Sequence, residues 1–348
     1  MPALAVADAL RDKGAEVSFL GTRERVEANL VPAAGYEIDF LRVRGLARGE
    51  PLKAIAAAGL AAAAVPAARR ALRRRGGAVV VGSGGYVAGP AGLAALSLHL
   101  PLVLTEADRH LGLANRLLAP RARRVCLAFP IEGREGEPYL VTGRPVPAAI
   151  GTADREAARR RFRIAAAPCL LVFGGSLGAR SINLCAVDAF AAAGGPARER
   201  DYHVLQIAGH RDFPEVRRRL KEAGGVDRYT LLEYEPNLGD SLAACDLALA
   251  RAGGSVFEVA AAGRPAILVP YPHATARHQH ANAAWMAGAG AALVIEDSEL
   301  APEMLASKVG ELFADPRRLE RMSAASSSLA RPDAAERIAD EVLRAAAR

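Results

Sequence analysis

Short apolar runs alternate with Ala- and Arg-rich stretches along the chain, and this alternation restricts the possible folds more than any other feature of the sequence. The short runs are typical of buried strands, and the longer stretches between them are typical of helices. Parallel strands need such crossover helices, so the pattern predicts an α/β protein built from βα units. The predicted strands are 17–20, 79–81, 102–105, 125–128, 170–173, 203–207, 247–250 and 266–269.

Chain length and one proline-rich segment predict two domains. A chain of 348 residues favours two domains over one, and the segment 142–147 contains Pro145 and Pro147. We therefore predict a first domain over 1–145, a second over 146–328, and a C-terminal helix over 329–348 that packs back on the first. Each domain is expected to be a doubly wound parallel sheet, which binds ligands beyond the carboxyl ends of its strands.

The charge balance favours anionic partners. The formal net charge is +7, with 45 Lys and Arg residues against 38 Asp and Glu, which suits nucleotides, nucleic acids or acidic lipid surfaces without choosing among them. Only four of these 45 basic residues are lysines, and genome composition alone can also produce such an arginine bias. The four cysteines lie far apart in apolar contexts, so neither a metal pair nor a disulfide framework is predicted. No apolar run reaches the ~20 residues that cross a bilayer.

A first glycine-rich turn follows the predicted strand 79–81. Gly84, Gly85 and Gly89 are spaced so that backbone amides can approach an anion, and the helix that follows adds its positive end. The spacing differs from the GxGxxG pattern, and the chain contains no Gly-Lys pair, so a P-loop is excluded. The alternative is a tight strand-to-helix turn without a ligand.

A second turn of the same kind, with Gly174, Gly175, Ser176 and Gly178, follows the strand 170–173. Its amides and the Ser176 hydroxyl can hold a phosphate. The same residues match the GxSxG elbow of serine hydrolases, and histidines lie downstream. That alternative needs an oxyanion loop such as HGGG, which the sequence lacks.

A third turn, 251–258, follows the strand 247–250. Arg251 and the turn amides at Gly253, Gly254 and Ser255 suit a phosphate, and Glu258, expected two turns into the helix, suits ribose hydroxyls. The alternative is a solvated Arg and Glu at a helix start. Three strand-glycine-helix turns in one chain favour the phosphate interpretation.

A dense polar segment, 270–282, follows the last predicted strand and suits recognition of sugar hydroxyls. Its three histidines raise the alternative of a metal site. His278 and His280 are two positions apart, however, and cannot face one point on a helix. No carboxylate follows within the segment, so we predict neither a metal nor a cofactor.

With these four motifs in this order, the chain resembles the MurG family, glycosyltransferases that transfer N-acetylglucosamine from UDP-GlcNAc to undecaprenyl-linked muramyl-pentapeptide in peptidoglycan synthesis. The resemblance covers nearly the whole chain. It implies a GT-B fold, in which two Rossmann-like domains face a cleft, the second holding the donor and the first the lipid acceptor. It also implies a peripheral protein at the cytoplasmic face of the cell membrane, with an anionic membrane surface as a partner and no nucleic acid.

The resemblance assigns roles residue by residue. The implied donor-binding residues are Gly174, Gly175, Ser176, Gly178, Arg251, Gly253, Gly254, Ser255, Glu258, Tyr234, Glu235, His278, Gln279 and Arg144. The implied acceptor-side residues are Gly84, Gly85, Tyr86, Gly89 and Pro90. Glu106 is our first candidate for the catalytic base and Asp108 the second, in the stretch where the family often has His-Glu-Gln-Asn.

The chain departs from the family pattern at several positions. Asp108 replaces an amide, and Arg144 is displaced from the arginine of a Gly-Asn-Pro-Val-Arg pattern. The segment 1–4 matches only the last four positions of the family's GGTxGHxxPAL loop, whose histidine is an acid/base or acceptor-binding candidate. We therefore expect upstream DNA to continue in frame through a strand and that loop.

An α-linked donor and a β-linked product imply a single inverting displacement. The sequence has no Asp-x-Asp metal motif, so helix N-termini, loop amides and Arg251 are expected to stabilise the departing UDP. The segment 54–68, followed by Arg69, Arg70, Arg73, Arg74 and Arg75, is either a membrane-docking helix or an Ala-rich packing helix with a solvated basic end.

Besides the serine hydrolase, the sequence allows three hypotheses for the function. They are the lipid-linked GlcNAc transferase, a GT-B enzyme that acts on another acceptor, and a protein that binds the nucleotide sugar without catalysis.

Overall fold

The structure is a computed structural model that describes residues 2–43, 51–175, 178–192, 194–224, 226–274 and 278–347. The side chains of 51–55 and 58 lie outside this description. By compactness the chain divides into two units, 1–147 with 333–348, and 148–332. The predicted boundaries, 145/146 and 328/329, differ from these by two and four residues.

The elements alternate as βα units along most of the chain. The strands are β1 (Ser18–Gly21), β2 (Glu37–Phe40), β3 (Val80–Gly82), β4 (Leu102–Glu106), β5 (Arg124–Leu127), β6 (Tyr139–Val141), β7 (Cys169–Phe173), β8 (His203–Ile207), β9 (Tyr229–Leu232), β10 (Leu247–Ala250), β11 (Ala266–Leu268) and β12 (Ala292–Val294). The helices are α1 (Pro2–Asp12), α2 (Glu27–Ala33), α3 (Pro51–Arg75), α4 (Gly85–Ser97), α5 (Leu113–Leu118), α6 (Ala149–Thr152), α7 (Arg155–Arg161), α8 (Arg180–Phe190), α9 (Phe213–Glu222), α10 (Leu238–Ala244), α11 (Val256–Ala261), α12 (His278–Gly288), α13 (Pro302–Phe313), α14 (Pro316–Leu329) and α15 (Ala334–Ala346). Short 3-10 helices cover Ala119–Arg121 and Asp297–Glu299.

The second unit is a parallel sheet with strand order β12-β11-β10-β7-β8-β9 among the described residues. The order runs outward in both directions from the pair β7 and β10, which makes it doubly wound, as predicted. Strands β7, β8 and β10 are buried along their whole length. Helices cover both faces of such a sheet, and this explains why β7 and β10 are uninterrupted apolar runs. In β8, His203 and Gln206 interrupt the run, and both are hydrogen-bonded.

The first unit has a parallel sheet of order β3-β4-β5-β6, and a separate parallel pair, β1 and β2. Within the described part of the chain, β1 pairs with β2 and with no other strand. Helix α15 belongs to this unit, where Ile338 and Val342 pack against Val6, Leu10 and Val103.

Helix α3 packs on the first unit through its alanines. Ala64 and Ala68 are buried in a cluster with Leu41 and Ala94. At its basic end, Arg74 Nη2 lies 2.6 Å from Asp39 Oδ1, and Arg75 pairs with the other oxygen of Asp39 and with Glu37. These contacts favour the packing interpretation for the described part of this helix. Membrane docking by the segment 54–68 stays a prediction.

None of the helices in the described ranges combines the length and hydropathy that crossing a bilayer requires.

A buried histidine at the start of β8 makes stability depend on pH. His203 Nε2 lies 2.8 Å from Thr230 Oγ1, and burial lowers the pKa of His203 from 6.5 to about 4. Between these values the unfolded chain binds more protons than the folded one, so we expect the free energy of unfolding to fall as the pH drops from 6.5 towards 4.

His203→Gln keeps a partner for Thr230 and removes this titration. Urea unfolding at pH 7 and pH 5 should therefore show a smaller loss of stability in His203→Gln than in the wild-type chain. The exposed His273→Gln is the control and should lose as much as the wild type. Equal losses in all three proteins would contradict the prediction.

Candidate functional site

Two glycine turns lie side by side at the point where the strand order of the second unit reverses. Strands β7 and β10 are hydrogen-bonded neighbours, with Phe173 opposite Ala250 at their carboxyl ends. The turn that begins at Gly174 follows one strand, and the turn that begins at Arg251 follows the other. Open α/β sheets bind ligands at this position, because the two chain segments diverge there and leave a crevice.

The turn after β7 can be built only with glycine at two of its positions. A Cβ on Gly174 would lie 2.3 Å from the Ala179 Cβ. Gly178 has a φ of +87°, and a Cβ there would lie 2.2 Å from the Ala208 carbonyl oxygen. Gly175 also has a φ of +87°. Ser176 lies outside the described residues.

Helix α8 starts directly after this turn, and its first amides are available to a ligand. Its N-cap residue is Ala179, and no side chain of the described residues caps it. Backbone amides at the start of a helix carry partial positive charge and bind anions. Turn and helix together therefore form an anion site at the carboxyl end of β7.

A buried polar network supports the turn from behind. Asn183 Nδ2 donates to the Ala208 carbonyl at 2.8 Å and to Asp212 Oδ2 at 3.1 Å, and Gln206 Nε2 donates to Asn183 Oδ1 at 3.0 Å. This network holds α8 against the loop after β8, where the Gly178 backbone passes closest. Sequence reasoning missed Asn183, although an Asn inside an apolar helix is a usable signal.

Arg251 begins the turn after β10, but its guanidinium is paired inside the protein. Its Nη1 donates to Asp297 Oδ1 at 2.5 Å, and its Nη2 donates to Ser181 Oγ at 2.7 Å. The side chain is 12% exposed, and it also lies over the Tyr271 ring, 5.4 Å from the centroid. From the sequence we predicted that Arg251 lies beside a phosphate, and we did not predict these internal partners.

The rest of this turn lies against helix α12. A Cβ on Gly253 would be in ordinary van der Waals contact with Gln279 Nε2, at 3.8 Å. Gln279 Oε1 accepts from the Tyr271 amide at 2.9 Å, and Asn282 Nδ2 donates to the Ala252 carbonyl at 3.0 Å. The polar segment and the third glycine turn thus lie against each other. Asn282 ends the predicted polar segment but was assigned no role of its own.

Four predicted residues complete this part of the site. Gly254 and Ser255 precede α11, and Ser255 is its N-cap without a side-chain cap among the described residues. Glu258 lies in the first turn of α11, not two turns in as we predicted, and is half-buried. His278 is the first residue of α12 and is half-buried.

Tyr234 and Glu235 follow β9 and have different environments. Tyr234 is 47% exposed and stacks on His210 with 5.2 Å between ring centroids. Glu235 is 7% exposed and accepts from Arg161 Nη2 at 2.7 Å and from the Asn237 amide at 2.8 Å. Tyr234 therefore presents an open surface to a ligand, whereas the Glu235 carboxylate is held in internal contacts.

In the first unit, the glycine turn after β3 leads into α4. Gly84 and Gly85 have φ values of +78° and +72°. Tyr86 is 44% exposed, and Arg25 lies over its ring at 5.0 Å. Gly89 lies inside α4, where its Cβ side faces α5.

Pro90 is likewise a buried residue inside α4. Of the predicted acceptor-side residues, Gly84, Gly85 and Tyr86 thus form the turn and the helix start. Gly89 and Pro90 belong to the packed helix.

Glu106 ends β4 and organises the loop that follows. Its Oε1 accepts from the amides of Ala107 and Asp108 at 3.0 and 3.2 Å. Its Oε2 accepts from the Gly112 amide at 2.8 Å and from Asn115 Nδ2 at 2.9 Å. The side chain is buried, so four donors saturate this carboxylate.

The last two predicted residues lie near this loop or near the unit boundary. The carboxylate of Asp108 is half-buried and makes no hydrogen bond or ion pair with any residue in the described ranges. Arg144 is half-buried in the first unit, whereas the other predicted donor-binding residues are in the second.

No group of three or more His, Cys, Asp or Glu side chains suitable for a metal occurs in the part of the chain that the structure describes.

Comparison with known proteins defines the class. The crystal structure of CalG4, the calicheamicin glycosyltransferase, matches over 100% of this chain and 95% of its own, with a TM-score of 0.68 at 19% identity. At this identity the similarity shows the fold alone. The crystal structure of MurG from Acinetobacter baumannii matches over 99% and 95%, with a TM-score of 0.75 at 29% identity. The chain has the GT-B fold of glycosyltransferases, and the predicted fold class is confirmed.

Sequence comparison identifies the family. The N-terminal and C-terminal domain models of glycosyltransferase family 28 match residues 1–127 and 169–338. A UDP-N-acetylglucosamine--N-acetylmuramyl-(pentapeptide) pyrophosphoryl-undecaprenol N-acetylglucosamine transferase of Moorella thermoacetica is 40% identical over 99% of this chain and 95% of its own. The protein of the same name from Alkalilimnicola ehrlichii is 42% identical, over 97% and 93%. The chain belongs to the MurG family of glycosyltransferases, as the sequence motifs predicted.

Proposed function

We propose that the protein is an inverting hexosyltransferase that moves N-acetylglucosamine from UDP-GlcNAc to undecaprenyl-diphospho-N-acetylmuramyl-pentapeptide in peptidoglycan synthesis. The observation that carries the proposal is the pair of glycine turns side by side at the carboxyl ends of β7 and β10, in a chain of this family. Family membership gives the serine hydrolase alternative no support.

The donor is bound by the second unit in this proposal. The diphosphate lies at the amides of Gly175, Gly178 and the start of α8, which stabilise the negative charge that builds up on the departing UDP. The uracil packs on the exposed face of Tyr234. Glu258 accepts from the ribose hydroxyls, while His278 and Gln279 recognise the sugar.

The acceptor hydroxyl must lose a proton to a base. A base needs a lone pair directed at its substrate. The Glu106 carboxylate already accepts four hydrogen bonds, whereas that of Asp108 has no partner among the described residues. We therefore place Asp108 ahead of Glu106, which reverses the order that we gave from the sequence.

A transfer assay tests the function. The purified chain is mixed with UDP-GlcNAc and a lipid-I analogue, and both UDP release and the β-linked disaccharide product are measured. UDP release with another lipid-linked sugar, but not with the lipid-I analogue, would favour a related transferase that acts on another acceptor. Binding of UDP-GlcNAc by calorimetry without turnover would favour a non-catalytic binding protein. Labelling of Ser176 by a fluorophosphonate would favour the serine hydrolase alternative.

The acceptor's lipid also requires a membrane surface, and we propose peripheral binding at the cytoplasmic face. Helices α4 and α5 border a groove of about 510 Å³ lined by Gly89, Leu93, Leu117 and Arg121. Leu93 is 51% exposed and Leu117 is 65% exposed. Apolar side chains beside a cation are suited to anionic lipid headgroups and the acyl boundary below them.

Leu117→Glu should weaken co-sedimentation with vesicles that contain anionic lipid by about tenfold, because it removes apolar burial and adds a repelled charge. Turnover of a water-soluble acceptor should be unchanged. Val294→Glu, an equivalent change at an exposed apolar side chain of the second unit, is the control. Equal vesicle binding by both variants would reject this surface.

A further inference from the structure

Asp297 lies outside every glycine turn, yet it contacts two of the elements that form the donor site. It begins the 3-10 helix Asp297–Glu299 that follows β12. Its Oδ1 accepts from Arg251 Nη1 at 2.5 Å and from Ser181 Oγ at 2.6 Å. Arg251 Nη2 donates in turn to Ser181 Oγ at 2.7 Å. The three side chains therefore close a ring of hydrogen bonds.

This ring connects the carboxyl edge of the sheet to the helix behind the phosphate turn. Arg251 follows β10, and its Nη1 also donates to the carbonyls of Val269 and Pro270, just past β11, at 3.2 and 3.3 Å. Ser181 is the second residue of α8. Asp297 thus fixes the guanidinium, and through Ser181 the guanidinium fixes the start of α8.

The ring also compensates the positive charge of Arg251. Arg251 is 12% exposed and Asp297 is 23% exposed, so the pair is largely shielded from water and its charge-assisted bonds are strong. A carboxylate at 2.5 Å compensates the guanidinium charge. A nucleotide diphosphate at the turn would meet amides of α8 rather than an uncompensated arginine.

We infer that Asp297 is a positioning residue for the donor site: it commits Arg251 to bracing the amino end of α8, so that backbone amides carry the diphosphate. The inference rests on the proposed function, since it assumes a nucleotide diphosphate as the ligand. It revises the role of Arg251 from direct phosphate ligand to brace.

Two variants of Asp297 separate hydrogen bonding from charge. Asp297→Asn keeps the Oδ1 acceptor and removes the charge, so its Kd for UDP should stay within about threefold of wild type. Asp297→Ala removes both of its bonds and so the restraint on Ser181 and on the Arg251 guanidinium, and its Kd for UDP and its KM for UDP-GlcNAc should rise about tenfold. The kcat at saturating donor should change much less, because the defect is in positioning the donor turn.

Asp246→Ala is the matched control. Asp246 also pairs with an arginine, Arg155, at 2.6 Å, but it precedes β10 at the amino edge of the same sheet. Its loss should lower stability without changing the Kd for UDP. Thermal unfolding of each variant, with and without UDP, separates general destabilisation from a change at the site.

Calorimetry of UDP binding at low and high salt decides the outcome. Binding by Asp297→Asn that is more than about threefold tighter than that of wild type, with a steeper salt dependence, would mean that Asp297 restrains an arginine that contacts phosphate, and would overturn the inference. Unchanged binding by Asp297→Ala would overturn it as well. If the wild-type chain bound neither UDP nor UDP-GlcNAc, the proposed function itself would fail, which is a distinct result.

Discussion

Gly178→Ala should abolish most UDP binding and lower the free energy of unfolding by about 2–4 kcal/mol. The φ of +87° is strained for any residue with a Cβ, and the new methyl group would lie 2.2 Å from the Ala208 carbonyl oxygen and 2.8 Å from Asp212 Oδ2. To relieve this overlap the turn must move away from the loop after β8. Such a shift displaces the α8 amides. Urea unfolding and calorimetry with UDP measure the two effects.

Gly175→Ala is the control within the same turn. Gly175 has the same φ of +87°, but no atom of the described residues lies within 4 Å of a Cβ built there. Its substitution should cost only the backbone strain, about 1–2 kcal/mol. If both alanine variants lost the same stability, the close approach at Gly178 would not be the cause.

Glu106→Ala should lower the free energy of unfolding by about 2–4 kcal/mol and turnover by at least about tenfold. The substitution leaves four donors without their acceptor, three of them backbone amides of the loop after β4 and one the Asn115 side chain. The loop then loses the contacts that fix Asp108. Chemical unfolding and the transfer assay measure the two losses.

The pH profile separates positioning from base catalysis. In Glu106→Gln one oxygen becomes an NH2 group that faces two donors, so this variant should also be slower, but the acid limb of its kcat/KM profile should remain. Asp108→Asn should remove that limb if Asp108 is the base. Loss of the limb in Glu106→Gln alone would restore Glu106 as the base. Normal turnover by Asp108→Asn would exclude Asp108.

The sequence predicted the buried strands well and missed four short, partly buried strands. The prediction for 203–207 coincides with β8, and that for 247–250 coincides with β10, because strands buried on both faces are rich in apolar residues along their whole length. Strands β2, β6, β9 and β12 were missed. Each has three or four residues, and the described side chains of these strands are mostly half-buried, so each lacks a distinct apolar run.

For the site, local features were predictable and long-range partners were not. The glycine turns and the polar segment could be predicted because each is a short stretch of sequence that directly follows a strand. The partner of Arg251 lies 46 positions further along the chain, and that of Glu235 lies 74 positions earlier. Only the fold brings those charges together. From sequence alone, an Arg or Glu beside a turn is therefore predicted to contact a ligand, because its internal ion-pair partner is not known.

Helix α15 makes the first unit discontinuous in sequence, and this affects the order of folding during synthesis. The second unit is one unbroken stretch, 148–332, and all of it leaves the ribosome before α15 does. Val6 and Leu10 at the start of the chain are buried against Ile338 and Val342 near its end. The first unit therefore completes its core only after the second unit has been translated, and the apolar surface around Val6 and Leu10 stays open until α15 emerges.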